Sequence, residues 1–241
     1  LRSLVGSEMC IRDRVCGVYE KENIRAVIEQ GVAMIGLNFE KGNPRFVKMY
    51  SSNSGIQPDY SSLQVDAIKK NKDILSFANV KVFGVFKDDM PQNIITRIYN
   101  FKLNGVQLSG DENTVMIDNL KTTVIGDIAP ALDVIKTIEV NSYDDLDKAL
   151  PFEGHADMIF FKLNPTLLVP QEISKTVEAL NNFTSTLPFF VGGTADESFL
   201  NALKEIKNEA FLGLNVDAEI ETEEGLKDIE KLQSLQQLLA R

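Results

Sequence analysis

The sequence predicts an α/β protein in which eight parallel strands close into a single barrel covered by helices. The chain has 241 residues, close to the ~250 that such a barrel typically needs. Short β-rich apolar runs alternate with amphipathic segments, which is typical of a parallel sheet covered by helices. Eight such units are present, the number that closes a barrel. An open doubly wound sheet is the alternative, but it normally shows a glycine fingerprint after its first strand, and residues 18–21 carry none.

The elements follow one another in regular order along the chain. Strands are predicted at 15–18, 33–39, 80–86, 105–108, 133–140, 157–163, 188–191 and 211–216. Helices are predicted at 20–30, from Pro91 onward, and at 143–150, 171–181, 196–207 and 223–239. The connection 41–79 is longer than a standard unit. Its Ser-, Gly- and Pro-rich part, 49–60, predicts a loop on the C-terminal rim, and a helix is expected over about 62–77.

The predicted domain organisation is one barrel over residues 15–241, preceded by a segment outside it. Residues 1–14 begin with leucine, do not fit the β/α pattern and lack the apolar core of a signal peptide. We therefore expect this segment to be artefactual or disordered.

Charge and composition exclude several classes of protein. The net charge of −10 makes nucleic acid an improbable partner, although backbone amides can still bind a small phosphorylated substrate. No apolar stretch reaches the ~18 residues of a membrane span. Two cysteines, Cys10 and Cys16, do not form a disulfide framework, so a reducing, cytoplasmic setting is expected. The single histidine, His155, argues against a metal site.

Two candidate site residues follow the first two strands, at the end of the barrel where active sites are built. Cys16 ends the first strand, and its thiolate would serve as a base or nucleophile if local charges lowered its pKa. The alternative is a small buried apolar residue. Arg45 follows the second strand, and its guanidinium suits a carboxylate or phosphate. The alternative is a solvated surface arginine.

Two further candidates lie at later strands. Gly192 and Gly193 close the seventh strand, where the loops of such barrels usually bind phosphate; the alternative is a pair required by a tight turn. Lys162 lies in the sixth strand. Facing the mouth, it would be a buried lysine of lowered pKa whose charge also lowers that of Cys16. Facing outward, it would reach solvent.

Read in order, the motifs resemble the phosphoribosylanthranilate isomerase family. The segment VCGVYEKENIRAV (15–27) matches KVCGM-x-x-x-x-NI, and MIGLNFEKGNPRFV (34–47) matches M-x-G-F-x-F-x-x-x-S-P-R-Y-V. GVFKDD (84–89), GVQLSGDE (105–112), PFFVGGT (188–194) and GLKDIEKL (225–232) resemble the family's GVFV, VQLHG-x-E, PF-x-L-x-GG-I and PG-x-KD segments.

The resemblance implies a cofactor-free Amadori rearrangement of an aldose amine to a ketose amine in tryptophan biosynthesis. A general acid protonates the ribose ring oxygen, and a general base removes the proton from C2. By resemblance Cys16 is the base, Arg45 binds the substrate, and Gly192 and Gly193 contribute to binding its phosphate. The expected partner is a small phosphorylated substrate, and the chain is expected to be a monomer or homodimer.

The sequence departs from the family at four places. Lys162 replaces the catalytic aspartate of D-x-x-L-F-D-T, and the following GGSG-like loop is replaced by NPTLLVPQE (164–172). Ser109 replaces the histidine of QLHG, and Ala218 replaces the serine of D-x-N-S, here NVDA. These departures predict little or no turnover. The alternative function is a non-catalytic barrel that binds a small phosphorylated ligand or a protein partner.

Overall fold

Eight parallel strands form a closed barrel in the computed structural model, which describes residues 14–47, 49–52, 55–58, 80–126, 128–194 and 196–240. The neighbours around the barrel follow the order β1-β10-β9-β8-β7-β6-β5-β2. The strands are β1 Arg14–Cys16, β2 Met34–Asn38, β5 Lys81–Phe86, β6 Gly105–Leu108, β7 Asp133–Val140, β8 Met158–Leu163, β9 Phe189–Gly192 and β10 Phe211–Val216. All eight predicted strands are present, and the predicted (β/α)8 TIM barrel is confirmed.

Helices connect the strands and cover the outside of the barrel. They are α1 Lys21–Glu29, α2 Pro91–Phe101, α3 Thr114–Val124, α4 Ile173–Asn181, α5 Glu197–Leu203 and α6 Ile229–Ala240. Shorter 3-10 turns lie at Tyr143–Phe152, Pro165–Leu167 and Ala218–Ile220. Pro91 opens α2, where its missing N–H costs no helical hydrogen bond.

Two antiparallel ribbons stand outside the barrel, and both differ from the prediction. The predicted loop contains β3 Met49–Ser52 paired with β4 Gly55–Pro58. The helix expected over about 62–77 lies outside the described residues. The last helix was predicted from residue 223, but β11 Glu221–Glu223 and β12 Leu226–Lys227 come first. Gly225 makes the tight turn between them with φ of +78°, a conformation that favours glycine.

The barrel core has two layers because alternate strand residues point to opposite faces. The inner cluster consists of Met34, Phe83, Ile135, Met158, Phe160 and Phe190. A much larger apolar cluster packs the strands against the helices. The inner cluster fills the barrel, so the space open to a ligand is the mouth at the carboxyl ends of the strands.

β1 begins at Arg14, one residue before the predicted domain boundary. The Arg14 side chain is fully buried, because the inward alternation of β1 places it inside the barrel. Arg14 therefore belongs to the barrel, whereas residues 1–13 lie outside the described residues. Within the part of the chain that the structure describes, no helix is long and apolar enough to cross a membrane.

Candidate active site at the mouth of the barrel

Cys16 lies at the carboxyl end of β1 and faces the barrel interior, where its side chain is buried. The thiol donates to Asn215 Oδ1 on β10, at 3.2 Å. Gly36 makes room for it, because a side-chain carbon on Gly36 would overlap the sulfur. The adjoining Gly17 makes room for Arg45 and Asp217 in the same way. The sequence thus places the thiol in a tightly packed part of the mouth.

Burial raises the pKa of the Cys16 thiol from 9.0 to about 11. The nearby charge of Arg14 lowers this pKa, and that of Asp217 raises it further. The thiol is therefore protonated at neutral pH in the resting site. The cations that favour its ionisation are Arg14 and, more weakly, Lys227, and not Lys162 as the sequence suggested.

Lys162 lies near the carboxyl end of β8, beside Glu139 on β7 and Gly192 on β9. It shares the inward alternation of Met158 and Phe160, so it belongs to the rim of the mouth and not to the helix-packed face. Its side chain is 60% exposed, and its Nζ lies 3.3 Å from Glu139 Oε1. Of the two alternatives left open by the sequence, Lys162 takes the side that faces the mouth, but it is not buried there, because the strand end leaves the side chain in solvent beside a carboxylate.

Arg45 is held by a carboxylate of the chain itself. Its Nε and Nη2 donate to the two oxygens of Glu221 on β11, at 2.7 and 2.5 Å. Asp217 Oδ1 lies 3.6 Å from Nε. The hydrogen bonds that Arg45 donates to Glu221 raise the pKa of Arg45, so it stays charged. Arg45 is thus neither a solvated surface arginine nor a free anion-binding group.

Lys227 completes this ionic cluster from β12. Its ammonium is fully buried and donates to Glu221 Oε1 at 2.6 Å and to the backbone oxygen of Asp217 at 2.7 Å. Burial alone would raise the pKa of Glu221, but the hydrogen bonds from Arg45 and Lys227 outweigh it and hold the pKa at about 2. Sequence reasoning missed Glu221, although the acidic run 219–224 directly after the eighth strand was a visible signal.

The glycine pair after β9 is required by close backbone contacts. A side-chain carbon on Gly192 would lie 2.7 Å from the backbone oxygen of Asn215. One on Gly193 would lie 2.6 Å from that of Leu163, and Gly193 has φ of +148°. These close contacts are sufficient to explain why both positions are glycine. The role of the pair in binding phosphate stays a prediction.

A second polar group lies on the far side of the mouth from β1. Gln107 Nε2 donates to Ser109 Oγ at 3.0 Å and to Thr137 Oγ1 at 2.9 Å. The two hydroxyl oxygens are 3.1 Å apart. In the described part of the chain, the mouth therefore brings together the Cys16 thiol, the Lys162–Glu139 pair, the ionic cluster of Arg45, Glu221 and Lys227, and this neutral polar group. Among the described residues, no group of three or more His, Cys, Asp or Glu could hold a metal ion.

Comparison with known proteins points to one family. The N-(5'-phosphoribosyl)anthranilate isomerase of Phocaeicola vulgatus is 26% identical over 215 residues, covering 89% of this chain and 91% of that protein. The enzyme of the same name from Parabacteroides distasonis is 24% identical over 227 residues, covering 94% and 92%. The chain is a relative of the phosphoribosylanthranilate isomerases. The resemblance predicted from the sequence is thereby confirmed, although no protein-family model matches the chain.

Solved structures of these isomerases share the fold. The Thermotoga maritima phosphoribosylanthranilate isomerase superimposes with a TM-score of 0.69 at 18% identity, covering 95% of this chain and 98% of that one. A phosphoribosylanthranilate isomerase in complex with reduced 1-(o-carboxyphenylamino)-1-deoxyribulose 5-phosphate gives the same TM-score and coverage. That ligand is a small phosphorylated molecule that also carries a carboxylate.

The departures from the phosphoribosylanthranilate isomerase pattern all lie around the mouth. Lys162 stands on the rim where the pattern has aspartate, and Ser109 stands in the Gln107 group where it has histidine. The serine of the pattern is replaced by Ala218, which opens a short 3-10 turn after Asp217. The structure thus keeps the thiol in place and changes the groups expected around it.

Proposed function

We propose that the chain is a phosphoribosylanthranilate isomerase-like protein of tryptophan biosynthesis with low turnover. The reaction is the Amadori rearrangement of an aldose amine to a ketose amine. The observation that carries the proposal is similarity to enzymes of that name over about nine-tenths of both chains. A cysteine at the matching place in the mouth supports it.

In this proposal Cys16 is the general base that removes the C2 proton. Its sulfur ends a barrel strand at the mouth, and Asn215 fixes its orientation. The substrate phosphate would lie against Gly192 and Gly193. The substrate carboxylate would bind Arg45, in competition with Glu221 for its N–H groups.

The weak point of the site is the proton donor. A positioned acid typically contributes about 10²–10⁴-fold to the rate. Lys162 stands at the place of that acid, but its ammonium is mostly exposed and pairs with Glu139. An ammonium is a much weaker acid than a carboxylic acid, so it is a poor proton donor to the ring oxygen. We therefore propose a rate far below that of a site with aspartate at this position.

The alternative is a barrel that binds a small phosphorylated ligand or a protein partner without turnover. The Arg45–Glu221 pair favours it, because Glu221 already occupies two of the guanidinium donors before any ligand arrives. With a net charge of −10, nucleic acid is an unsuitable partner. We propose a cytoplasmic monomer or homodimer that needs no cofactor.

The deciding experiment is kcat/KM on freshly generated phosphoribosylanthranilate for the natural chain, Lys162→Asp and Cys16→Ala. We expect weak turnover by the natural chain, at least a tenfold gain in Lys162→Asp, and loss of turnover in Cys16→Ala. Complementation of a tryptophan auxotroph that lacks this isomerase step tests in cells whether the three proteins rank in the same order of activity. If neither the natural chain nor Lys162→Asp turns over, the binding-protein alternative replaces the isomerase proposal.

A further inference from the structure

Arg14 is a buried cation with unused hydrogen-bond donors. Its side chain is fully buried inside the barrel, with the guanidinium carbon 5.6 Å from the centre of the Phe83 ring. Nη1 donates to Asn215 Oδ1 at 2.7 Å. Nε and Nη2 are buried without a hydrogen-bond partner among the described residues. A buried charge is costly unless an anion or acceptor compensates it, so these two donors favour a negative charge beside them.

The Cys16 thiol lies next to these donors. Its sulfur and Arg14 Nη1 both donate to the same oxygen, Asn215 Oδ1. A side-chain carbon placed on Gly36 would meet the Cys16 sulfur first and then Arg14 Nη2, at 3.3 Å. The sulfur and the free edge of the guanidinium therefore flank the same glycine.

Ionisation of the thiol changes what it can bond. The S–H group donates to Asn215 Oδ1, whereas a thiolate has no proton to donate and becomes an acceptor. The free N–H groups of Arg14 need such an acceptor. When the resting thiol ionises, its proton leaves to solvent; the thiolate then takes the C2 proton of the substrate and is a thiol again. The thiol thus bonds to Asn215, whereas the thiolate can accept from Arg14.

We propose that Arg14 is the positioning residue of Cys16: Asn215 holds the thiol, and the unpaired N–H groups of Arg14 hold the thiolate. The role in turnover rests on the proposed function, in which Cys16 is the base. The pairing of Arg14 with the Cys16 thiolate does not rest on the proposed function.

The other charges around the thiol do not replace Arg14. Burial is the largest influence on the pKa of Cys16 and raises it, and Arg14 is the foremost charge that lowers it. Lys227 lowers it less, while Asp217 and Glu219 raise it. The neighbouring β2 contributes Gly36, which carries no charge.

The test is the thiolate fraction of Cys16 in the full chain with Cys10→Ser, so that one cysteine remains. The ¹³C shift of its labelled Cβ changes on ionisation and requires no reagent to reach the buried sulfur. At about pH 10, where the wild type is partly ionised, Arg14→Met is expected to lower the thiolate fraction about tenfold, one pKa unit. Arg14→Lys keeps the charge and is expected to stay within about threefold of the wild type. Thr137→Val, in the polar group across the mouth, serves as the matched control and should not change the fraction.

A second variant covers the case in which Arg14→Met does not fold. Asn215→Asp adds a carboxylate that takes the free donors of Arg14 and repels the thiolate, so it should also lower the fraction about tenfold. An unchanged thiolate fraction in a folded Arg14→Met protein, or in Asn215→Asp, overturns the proposal. Because the measurement needs no turnover, an inactive chain that shows the expected losses refutes the proposed isomerase and leaves the Arg14–Cys16 pair standing.

Discussion

Replacing Glu221 by glutamine tests the ionic cluster that closes one side of the mouth. The amide keeps the shape of the carboxylate but removes the charge shared by Arg45 and Lys227. Lys227 is fully buried and Arg45 is 15% exposed, so neither cation regains full contact with solvent. Asp217 remains as a nearby carboxylate, 3.6 Å from Arg45 Nε and 3.2 Å from Lys227 Nζ.

The size of the effect follows from the pKa of Glu221, which lies at about 2 instead of 4.5. A difference of this size corresponds to at most ~3 kcal/mol at pH 7, since one unit is ~1.4 kcal/mol. The partial exposure of Arg45 reduces it, and we expect a loss of about 2–3 kcal/mol. For a domain of this size the melting temperature should fall by roughly 4–12 °C.

The pH dependence has a definite sign. The folded-state pKa of Glu221 is lowered, so its contribution is complete above the unfolded value of 4.5 and is lost as pH falls toward about 2. The difference between wild type and Glu221→Gln should thus shrink to about half or less at pH 3. The assay is urea unfolding of both proteins at pH 7, 4 and 3.

The matched control is Glu139→Gln, which removes a carboxylate from an exposed pair with Lys162 at the same rim. An exposed pair contributes ~0–1 kcal/mol, so this variant should unfold almost like the wild type. If Glu221→Gln is as stable as Glu139→Gln at pH 7, the cluster does not stabilise the fold and the reasoning is refuted.

Two further outcomes are expected. Burial raises the pKa of Cys16 from 9.0 to about 11, so its contribution is complete below pH 9 and is lost as pH rises through about 11. Relative to Cys16→Ala, the free energy of unfolding of the wild type should fall by about 2–3 kcal/mol as the pH rises through this range. Urea unfolding measures it, and a difference between the two proteins that stays constant with pH would contradict the expectation. Deleting residues 1–13 should leave the melting temperature within about 2 °C, whereas Arg14→Met should lower it; a larger drop on deletion would show that the segment stabilises the barrel.

The strands could be predicted from the sequence because each is buried on both faces and forms a nearly continuous apolar run. The runs 105–108, 133–140 and 211–216 coincide with β6, β7 and β10. Once eight parallel strands are accepted, topology alone brings Cys16, Lys162 and Gly192 to one end of the barrel. The direction of Lys162 into solvent does not follow from topology, because it depends on the neighbouring strand ends.

The partners of Arg45 and Cys16 could not be predicted, because they come from distant parts of the chain. Arg45 and Glu221 are 176 positions apart, and Cys16 and Asn215 are 199 apart. Glu221 lies in an acidic run next to a segment expected to be helical. Arg14 was set aside with the N-terminal segment because residues 1–14 do not fit the β/α pattern. Both errors concern charged residues held by a partner from a distant part of the chain, Glu221 by Arg45 and Arg14 by Asn215.

Because Arg45 pairs with Glu221, this arginine can be retained for a reason other than substrate binding. An arginine that only binds substrate drifts away once the substrate is no longer used, because nothing else selects for it. Here the guanidinium also fastens the ribbon β11–β12 to the barrel through Glu221, so losing it would cost stability. Arg45 would therefore persist in descendants of this chain even after turnover had ceased. An arginine at this position in a relative is evidence of common ancestry and of a ribbon like β11–β12. It is evidence of catalysis only where no carboxylate stands at the position of Glu221.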